Sequence, residues 1–431
     1  MKNHFSRRQF IAKGSAATAG HFFIGKSSSF GRNKISPSEK LNIGVIGVEH
    51  RAAEDLKGVA SQNIVALCDI NDTYLEGAAK KYPGAKTYSD FRKLLEQKDI
   101  DAVVIGTPDH THAVATVAAL RSGRHVYCEK PLTHTISEAR IVAETTKKYK
   151  RVTQMGNQIH ASNNYRRVVE LIQSGAIGEV REVHVWVDAV YGNIGKPVPG
   201  PVPANVHYDL WLGPIEPHPY CPKYLPVTWR NYWAFGGGTM TDFCCHHMDL
   251  SHWALDLRAP LTVEAQGPAL DAIEVPTWMI VEFNYPARGS KPPVKLVWYQ
   301  GGKRPPFPEC SRESWNDNGT LFIGENGKKL QSSYGNHRLL PEAGFAGFTP
   351  PQPFIPNSIG HHEEWILACK TGGPTTSNFD YAGALTEAGL LGNVAFRVGK
   401  KIEWDSKKLR AKNCPEADQY IQHQYRKGWK I

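Results

Sequence analysis

From Leu41 onward, short apolar runs alternate with amphipathic stretches. LNIGVIG, NIVALCD, DAVVIGTP, HVYCEKP and RVTQMGN read as strands, near-continuously apolar as strands covered on both faces must be. Between them EHRAAEDLKGVA, DTYLEGAAKKY, SDFRKLLEQ, THAVATVAALRSG and SEARIVAETTKKY carry helical spacing. The alternation predicts βαβ units and a doubly wound parallel sheet, with ligands beyond the carboxyl ends of its strands. The residues to watch are therefore Gly47–Arg51, Asp69, Thr107–His112, Glu129–Pro131 and Asn157–His160. After about residue 175 the texture changes. EVREVHVWVDAV alternates, which predicts strands with one wetter face, and a Pro-rich stretch from Gly195 to Pro226 follows. LTVEAQG, TWMIVEFNY, VKLVWYQGG and GTLFIG add strands without long helices between them, predicting a large, open, mostly antiparallel sheet. HHEEWILACKTG and YAGALTEAGLLGNVAFRVG are late helices; at the start of the first, His361 and His362 read as solvent-exposed.

Composition adds little until charge is located. The 431 residues suffice for two domains, and 41% hydrophobic with 21% charged residues is ordinary for a globular chain. The net charge of +10 resembles a nucleic-acid signature, but residues 1–40 hold eight Lys or Arg against one Glu. The basicity thus belongs to a leader, and a nucleic-acid role is not expected. Within that leader Ser6-Arg7-Arg8-Gln9-Phe10-Ile11-Ala12-Lys13, followed by a Gly/Ala-rich run, resembles a twin-arginine export signal and predicts an exported, periplasmic protein. No apolar run is long enough to span a bilayer. The eight cysteines form no C-x-x-C, and they read as small buried thiols.

The first strand ends in a turn that half-matches a dinucleotide fingerprint. Gly47 permits the tight turn, yet Glu49 and Ala52 occupy the places of the second and third glycines of G-x-G-x-x-G. Asp69, closing the second strand, stands where an acid binds a ribose 2′-hydroxyl and disfavours a 2′-phosphate, which points to NAD over NADP. It could also cap the next helix, a task open to Asp72. His50 and Arg51 could offset the Glu49 charge at the helix N-terminus. Residues 41–160 therefore read as a Rossmann domain and residues 161–431 as a second α/β domain, behind a signal and linker over 1–40.

At EKPLTHTISEAR the sequence resembles the Gfo/Idh/MocA (glucose–fructose oxidoreductase/inositol dehydrogenase) family. TPDHTHAVATVAALRSGRHVYCEKPL, YDLWLGP, WRNYWAFGGGTMTDFCCHHMDLSHWAL and NFDYAGALTEAGLLGNVAFRVGKKIEWD extend the likeness in order over roughly residues 41 to 405. QMGNQIHASNNYRRVVELIQSGAIGEVREVHVW is similar to its exported bacterial branch, whose members read G-x-G-G-R-G where this chain has Gly47-Val48-Glu49-His50-Arg51-Ala52. The resemblance implies a Rossmann domain, bound NAD, a carbohydrate substrate and a homo-oligomer, dimer or tetramer, with substrate binding and oligomerisation assigned to residues 161–431. It assigns Lys130 of E-K-P to the reacting hydroxyl and Asp242 and His246 to the D-x-x-x-H pair, which share one helix face. Lys130 would stabilise developing negative charge, His246 act as general base, and Asp242 orient it or bind a neighbouring hydroxyl. His247 is the alternative register.

The implied cofactor contacts are Gly47, His50, Arg51, Asp69, Thr107, His112, Glu129 and Lys130. Asn157, His160, Trp211, Arg230, Trp233 and His184 are candidates for a sugar pocket, since aromatic faces and polar donors suit polyol rings. No metal is expected: neighbouring ligands in CCHH cannot converge tetrahedrally, although His160, His246 and a carboxylate could in principle meet. The leading expectation is an exported NAD-dependent oxidoreductase acting on a sugar or glycoside hydroxyl with its cofactor retained. The alternatives are a redox-neutral NAD-dependent glycoside hydrolase and a cofactor-free sugar-binding protein.

Overall fold

The computed structural model describes residues 39–431; the paired arginines lie outside the described residues. Six parallel strands, β1 (Asn42–Ile46), β2 (Asn63–Cys68), β3 (Lys86–Tyr88), β4 (Ala102–Ile105), β5 (His125–Glu129) and β6 (Thr153–Gly156), form a sheet in the order β3-β2-β1-β4-β5-β6. The helices α1 (Arg51–Gly58), α2 (Asp72–Lys81), α3 (Phe91–Leu94), α4 (Asp109–Arg121) and α5 (Ile136–Tyr149) connect them. Strand order reverses between β1 and β4, which opens the crevice where this architecture binds ligands. β4 is buried throughout because helices cover both faces of the sheet. The three-residue edge strand β3 is too short for periodicity to show.

The second sheet has nine strands in the order β13-β12-β11-β7-β10-β9-β8-β14-β15. In chain order they are β7 (Glu182–Val187), β8 (Thr262–Gln266), β9 (Met279–Tyr285), β10 (Val294–Gln300), β11 (Gly319–Ile323), β12 (Lys329–Ser332), β13 (His337–Leu340), β14 (Ile402–Asp405) and β15 (Arg410–Ala411). Only β7 and β10 pair in parallel, so the sheet is mixed and mostly antiparallel. The helices α6 (Asn163–Gln173), α7 (Tyr208–Leu212), α8 (Gly238–Leu255), α9 (His361–Thr371) and α10 (Phe379–Val398) complete the chain's main elements, and α8 and α10 pack together.

Two expectations need correction here. β7 has no wet face: its outer side is buried with Val297, Tyr299, Cys310 and Leu321 around Trp186, with Phe307 and Trp315 packed on that cluster. The 301–318 loop supplies that cover, which alternation along the strand could not reveal. His361 and His362 are not solvent-exposed. Each is pulled into the first half of the molecule, His361 Nε2 lying 2.7 Å from the Met155 carbonyl and the His362 ring stacking on Tyr127 at 4.8 Å. Among the described residues no helix is long and apolar enough to cross a membrane.

Candidate active site

The β1–α1 turn compensates for its missing glycines unequally. Gly47 has φ +85°, and a Cβ there would stand 2.9 Å from the Gly106 carbonyl oxygen, so glycine is required. Close packing of α1 normally comes from the third glycine; here Gly106 on the facing strand end provides it. A Cβ on Gly106 would fall 2.6 Å from Ala52 Cβ. His50 takes a relative's glycine position at φ 54°, ψ −121°, a region L-residues rarely adopt. Its ring sits edge-on to Tyr74 at 5.5 Å. Glu49 is exposed. We expect His50→Gly to stabilise the fold by about 1 kcal/mol, strain relief exceeding the added chain entropy. The midpoint of denaturant unfolding measures it, and an unchanged or lower midpoint refutes the strain.

Asp69 is held by two backbone donors, Val48 N–H to Oδ2 (3.0 Å) and Asn71 N–H to Oδ1 (2.9 Å). Burial raises its pKa, opposed by those two hydrogen bonds. The cap of α2 is neither Asp69 nor Asp72 but Asn71, whose Oδ1 accepts from Thr73 and Tyr74. Asp72 instead faces His207 at 2.9 Å. That contact belongs to a strap across the cleft: Asn71 and Val206 form an antiparallel bridge, Asp72 N–H donates to Asn205 O (2.9 Å), and His207 N–H donates to Ile70 O (2.8 Å). Beneath the strap runs a cavity of about 330 Å³ reaching from Asp69 and Ile70 past Gly47 and Thr107 to Trp211 and Arg230. The fixed glycine turn, the anchored carboxylate and the α1 N-terminus facing this cavity fit a dinucleotide.

Beyond Arg230, which lines the cavity, Lys130 and Asp242 meet, Nζ to Oδ1 at 2.6 Å, with Nζ also donating to the Asp242 carbonyl at 2.8 Å. Tyr191 donates its hydroxyl to Asp242 Oδ2 (2.8 Å), and Arg230 Nε reaches Oδ1 at 3.3 Å. Burial pushes the Asp242 carboxyl up, but Lys130 and Arg230, with hydrogen bonds from Lys130 and Tyr191, carry it well below the usual carboxylate range. Asp109, buried nearby, is pushed up to about 8 by desolvation. Two cations thus face one ionised carboxylate at neutral pH. One turn along α8, His246 has an Nδ1 without a partner, and burial followed by the Lys130 charge keeps its ring neutral. His247 is committed elsewhere, its Nε2 lying 2.6 Å from the Tyr334 hydroxyl, which favours the His246 register.

Arg51 joins the two ends. Its Nε donates to Glu129 Oε1 at 3.1 Å and its Nη2 to Asp55 Oδ1 at 3.1 Å, so the nucleotide turn is pinned to the E-K-P turn. Desolvation pushes Glu129 up to about 8 and Asp55 up to about 6, opposed in both by Arg51. His112 makes a second tie, Nδ1 and Nε2 each 2.7 Å from the carbonyls of Pro131 and Thr107. His112 and Glu129 thus position the turns and do not line the cavity.

The sugar-pocket candidates separate. Arg230 and Trp211 line the cavity, Trp211 stacked between Tyr208 and Tyr224. Asn157 and His160 pack against α8: Asn157 accepts from Ser377 Oγ (2.7 Å), and His160 Nδ1 pairs with Asp249 (2.9 Å) while stacking on Trp253. Trp233 and His184 belong to neither group. The Trp233 indole is buried beside Phe396, and His184 lies on the outer face of β7 between Tyr299 and Phe307, opposite α8. A tryptophan and a strand histidine carry no local mark of which face they occupy. Tyr191 and the strap were not singled out from sequence, because their partners are remote in the chain; Asp109 fell within the Thr107–His112 stretch but was given no role. Among the described residues no three His, Cys, Asp or Glu side chains gather to hold a metal ion.

Two family models match the chain. The oxidoreductase family's NAD-binding Rossmann fold matches residues 41–157, and its C-terminal alpha/beta domain matches residues 166–291. The inositol 2-dehydrogenase of Salmonella typhimurium is 36% identical over 148 residues, 33% of this chain and 43% of that protein. A glycosyl hydrolase family 109 protein of Saccharopolyspora erythraea is 29% identical over 204 residues, 41% of this chain and 44% of the other. The chain thus spans less than half the length of these curated relatives. The WlbA dehydrogenase of Bordetella pertussis, solved with NADH and UDP-GlcNAcA, shares the fold at TM-score 0.60 and 18% identity, covering 85% of this chain and 99% of its own. With both halves matched in order, and the glycine turn, E-K-P turn and D-x-x-x-H helix placed around one cleft, the chain belongs to the Gfo/Idh/MocA oxidoreductase family and carries its NAD-binding Rossmann fold.

Proposed function

We propose that the chain is an NAD-dependent oxidoreductase acting on a ring hydroxyl of a sugar or glycoside, exported with its cofactor retained. The observation that carries this reading is the Lys130–Asp242 contact of 2.6 Å, joined to the cavity through Arg230. Bound NAD would supply the hydride acceptor, with Gly47, Asp69 and the α1 N-terminus holding it. The Lys130 ammonium binds the substrate hydroxyl oxygen and stabilises the negative charge that grows as the proton leaves. The neutral His246 imidazole takes that proton. Asp242 and Tyr191 hold Lys130 in place and offer hydrogen bonds to a neighbouring hydroxyl.

The strapped cavity also favours a second reading, a redox-neutral glycoside hydrolase that takes a hydride and returns it in one turnover. One experiment separates the readings. The protein is purified, its bound nicotinamide quantified after denaturation, and the loaded form given cyclitols and aryl glycosides without an added acceptor. Accumulating NADH supports the oxidoreductase. Aglycone release with no net NADH supports the hydrolase. Protein that holds and binds no nicotinamide refutes both and leaves sugar binding. Export is tested by fractionating cells that carry Arg7→Lys and Arg8→Lys together; an unchanged periplasmic yield refutes the twin-arginine route. The family resemblance also supports a homo-oligomer, which sedimentation tests.

A further inference from the structure

The nucleobase end of the cavity is closed by a segment from the far end of the sequence. Asp69 marks where a ribose sits, so the base lies beyond it, toward Ile70 and the residues after β3. There the lining includes Ser89, Asp90, Phe91 and Trp429. The Phe91 and Trp429 ring centroids are 6.0 Å apart and tilted by 45°, and the Arg92 guanidinium lies 4.6 Å over the indole. Trp429 is half-buried.

This segment is anchored more heavily than a loose tail would be. Arg426 donates from Nε to Gly213 O (2.6 Å), from Nη1 to Asp209 Oδ1 (2.5 Å) and from Nη2 to Asp209 O (2.6 Å). Its own N–H donates to Pro214 O at 3.1 Å. Tyr425 donates to Glu138 Oε1 at 2.5 Å, and His423 stacks on His134. Three residues after Arg426, the indole lines the cavity beside Phe91. A planar aromatic pair with a guanidinium beside it suits a planar base, which presents π-faces and ring acceptors.

Resting on the reading that NAD occupies this cavity, we propose that residues 425–429 complete the cofactor site. Trp429, with Phe91, provides the aromatic wall for the adenine, and the nucleotide leaves only when this segment lifts. The strap secures the ribose side and the 425–429 segment the base side, so retention is shared by two parts of the chain remote from each other in sequence.

The test is an isotope chase. Full-length protein is loaded with labelled NAD, chased with excess unlabelled NAD, and the label retained is followed with time. Trp429→Ala is expected to release label at least tenfold faster than the parent, Trp429→Phe to stay within threefold, and Arg426→Ala to fall between. Binding of ADP-ribose weakens in Trp429→Ala in parallel, while nicotinamide mononucleotide, which lacks the adenine, binds all variants alike. Circular dichroism confirms that each variant is folded, and Arg426→Ala keeps the test open if Trp429→Ala is not: release at the parent's rate from a folded Arg426→Ala also overturns the proposal. Equal release from parent and Trp429→Ala overturns the proposal and leaves the oxidoreductase reading intact. A parent protein that takes up no NAD overturns both.

Discussion

Lys130→Met is expected to lower the rate of hydride transfer about 10³-fold, roughly 4 kcal/mol of barrier, while NAD affinity stays within a few-fold. The charge removed is the one placed 2.6 Å from Asp242, where alkoxide character develops, whereas Gly47 and Asp69 at the nucleotide end are untouched. Methionine preserves the length and apolar stem of the side chain, so the loss reports charge rather than a cavity. A second signature accompanies it. Lys130 is the leading electrostatic cause of the lowered Asp242 pKa, so without it that carboxyl titrates higher and the acid limb of the residual pH–rate profile moves up. Single-turnover reduction of the bound nicotinamide measures both effects. A loss below tenfold would assign the stabilising charge to Arg230.

Arg51→Ala is expected to destabilise the fold by about 3 kcal/mol at pH 8 and by much less at pH 5. Two buried carboxylates share this guanidinium, Glu129 pushed up to about 8 and Asp55 up to about 6. In the unfolded chain both ionise near their ordinary values, so between about pH 4 and 8 the folded state binds more protons than the unfolded state. Stability of the parent therefore falls as pH rises through that window, with Arg51 limiting the fall. Removing Arg51 raises both carboxyl pKa values further and steepens the slope. At pH 5 the carboxyls are already protonated in the fold and little remains for Arg51 to offset. Urea midpoints at the two pH values read the difference directly, and equal losses at both would show that the cluster does not hold buried charge.

The doubly wound half was legible because its strands are buried on both faces and its helices have whole turns of spacing. β3 and β12 to β15, each of two to four residues and none buried throughout, were not; β4 and β6 are as short but wholly buried. At the site, sequence named Lys130, Asp242 and His246 through the family's motifs and Arg230 as a sugar-pocket donor, and the fold brings both Lys130 and Arg230 onto Asp242, Lys130 from 112 positions away. Tyr191 and Trp429 escaped because nothing in their immediate neighbours states what they will face. Glu49 and Ala52 misled in a related way. The missing third glycine was sought in its own loop, while the space it provides comes from Gly106, in the turn after β4.

All eight cysteines are buried and none is bonded to another. Buried in this way, the thiols are shielded from oxidants in solution. Dithiothreitol and mild oxidants should therefore both leave the melting temperature unmoved, the folded state closing its own sulfur chemistry to the surroundings.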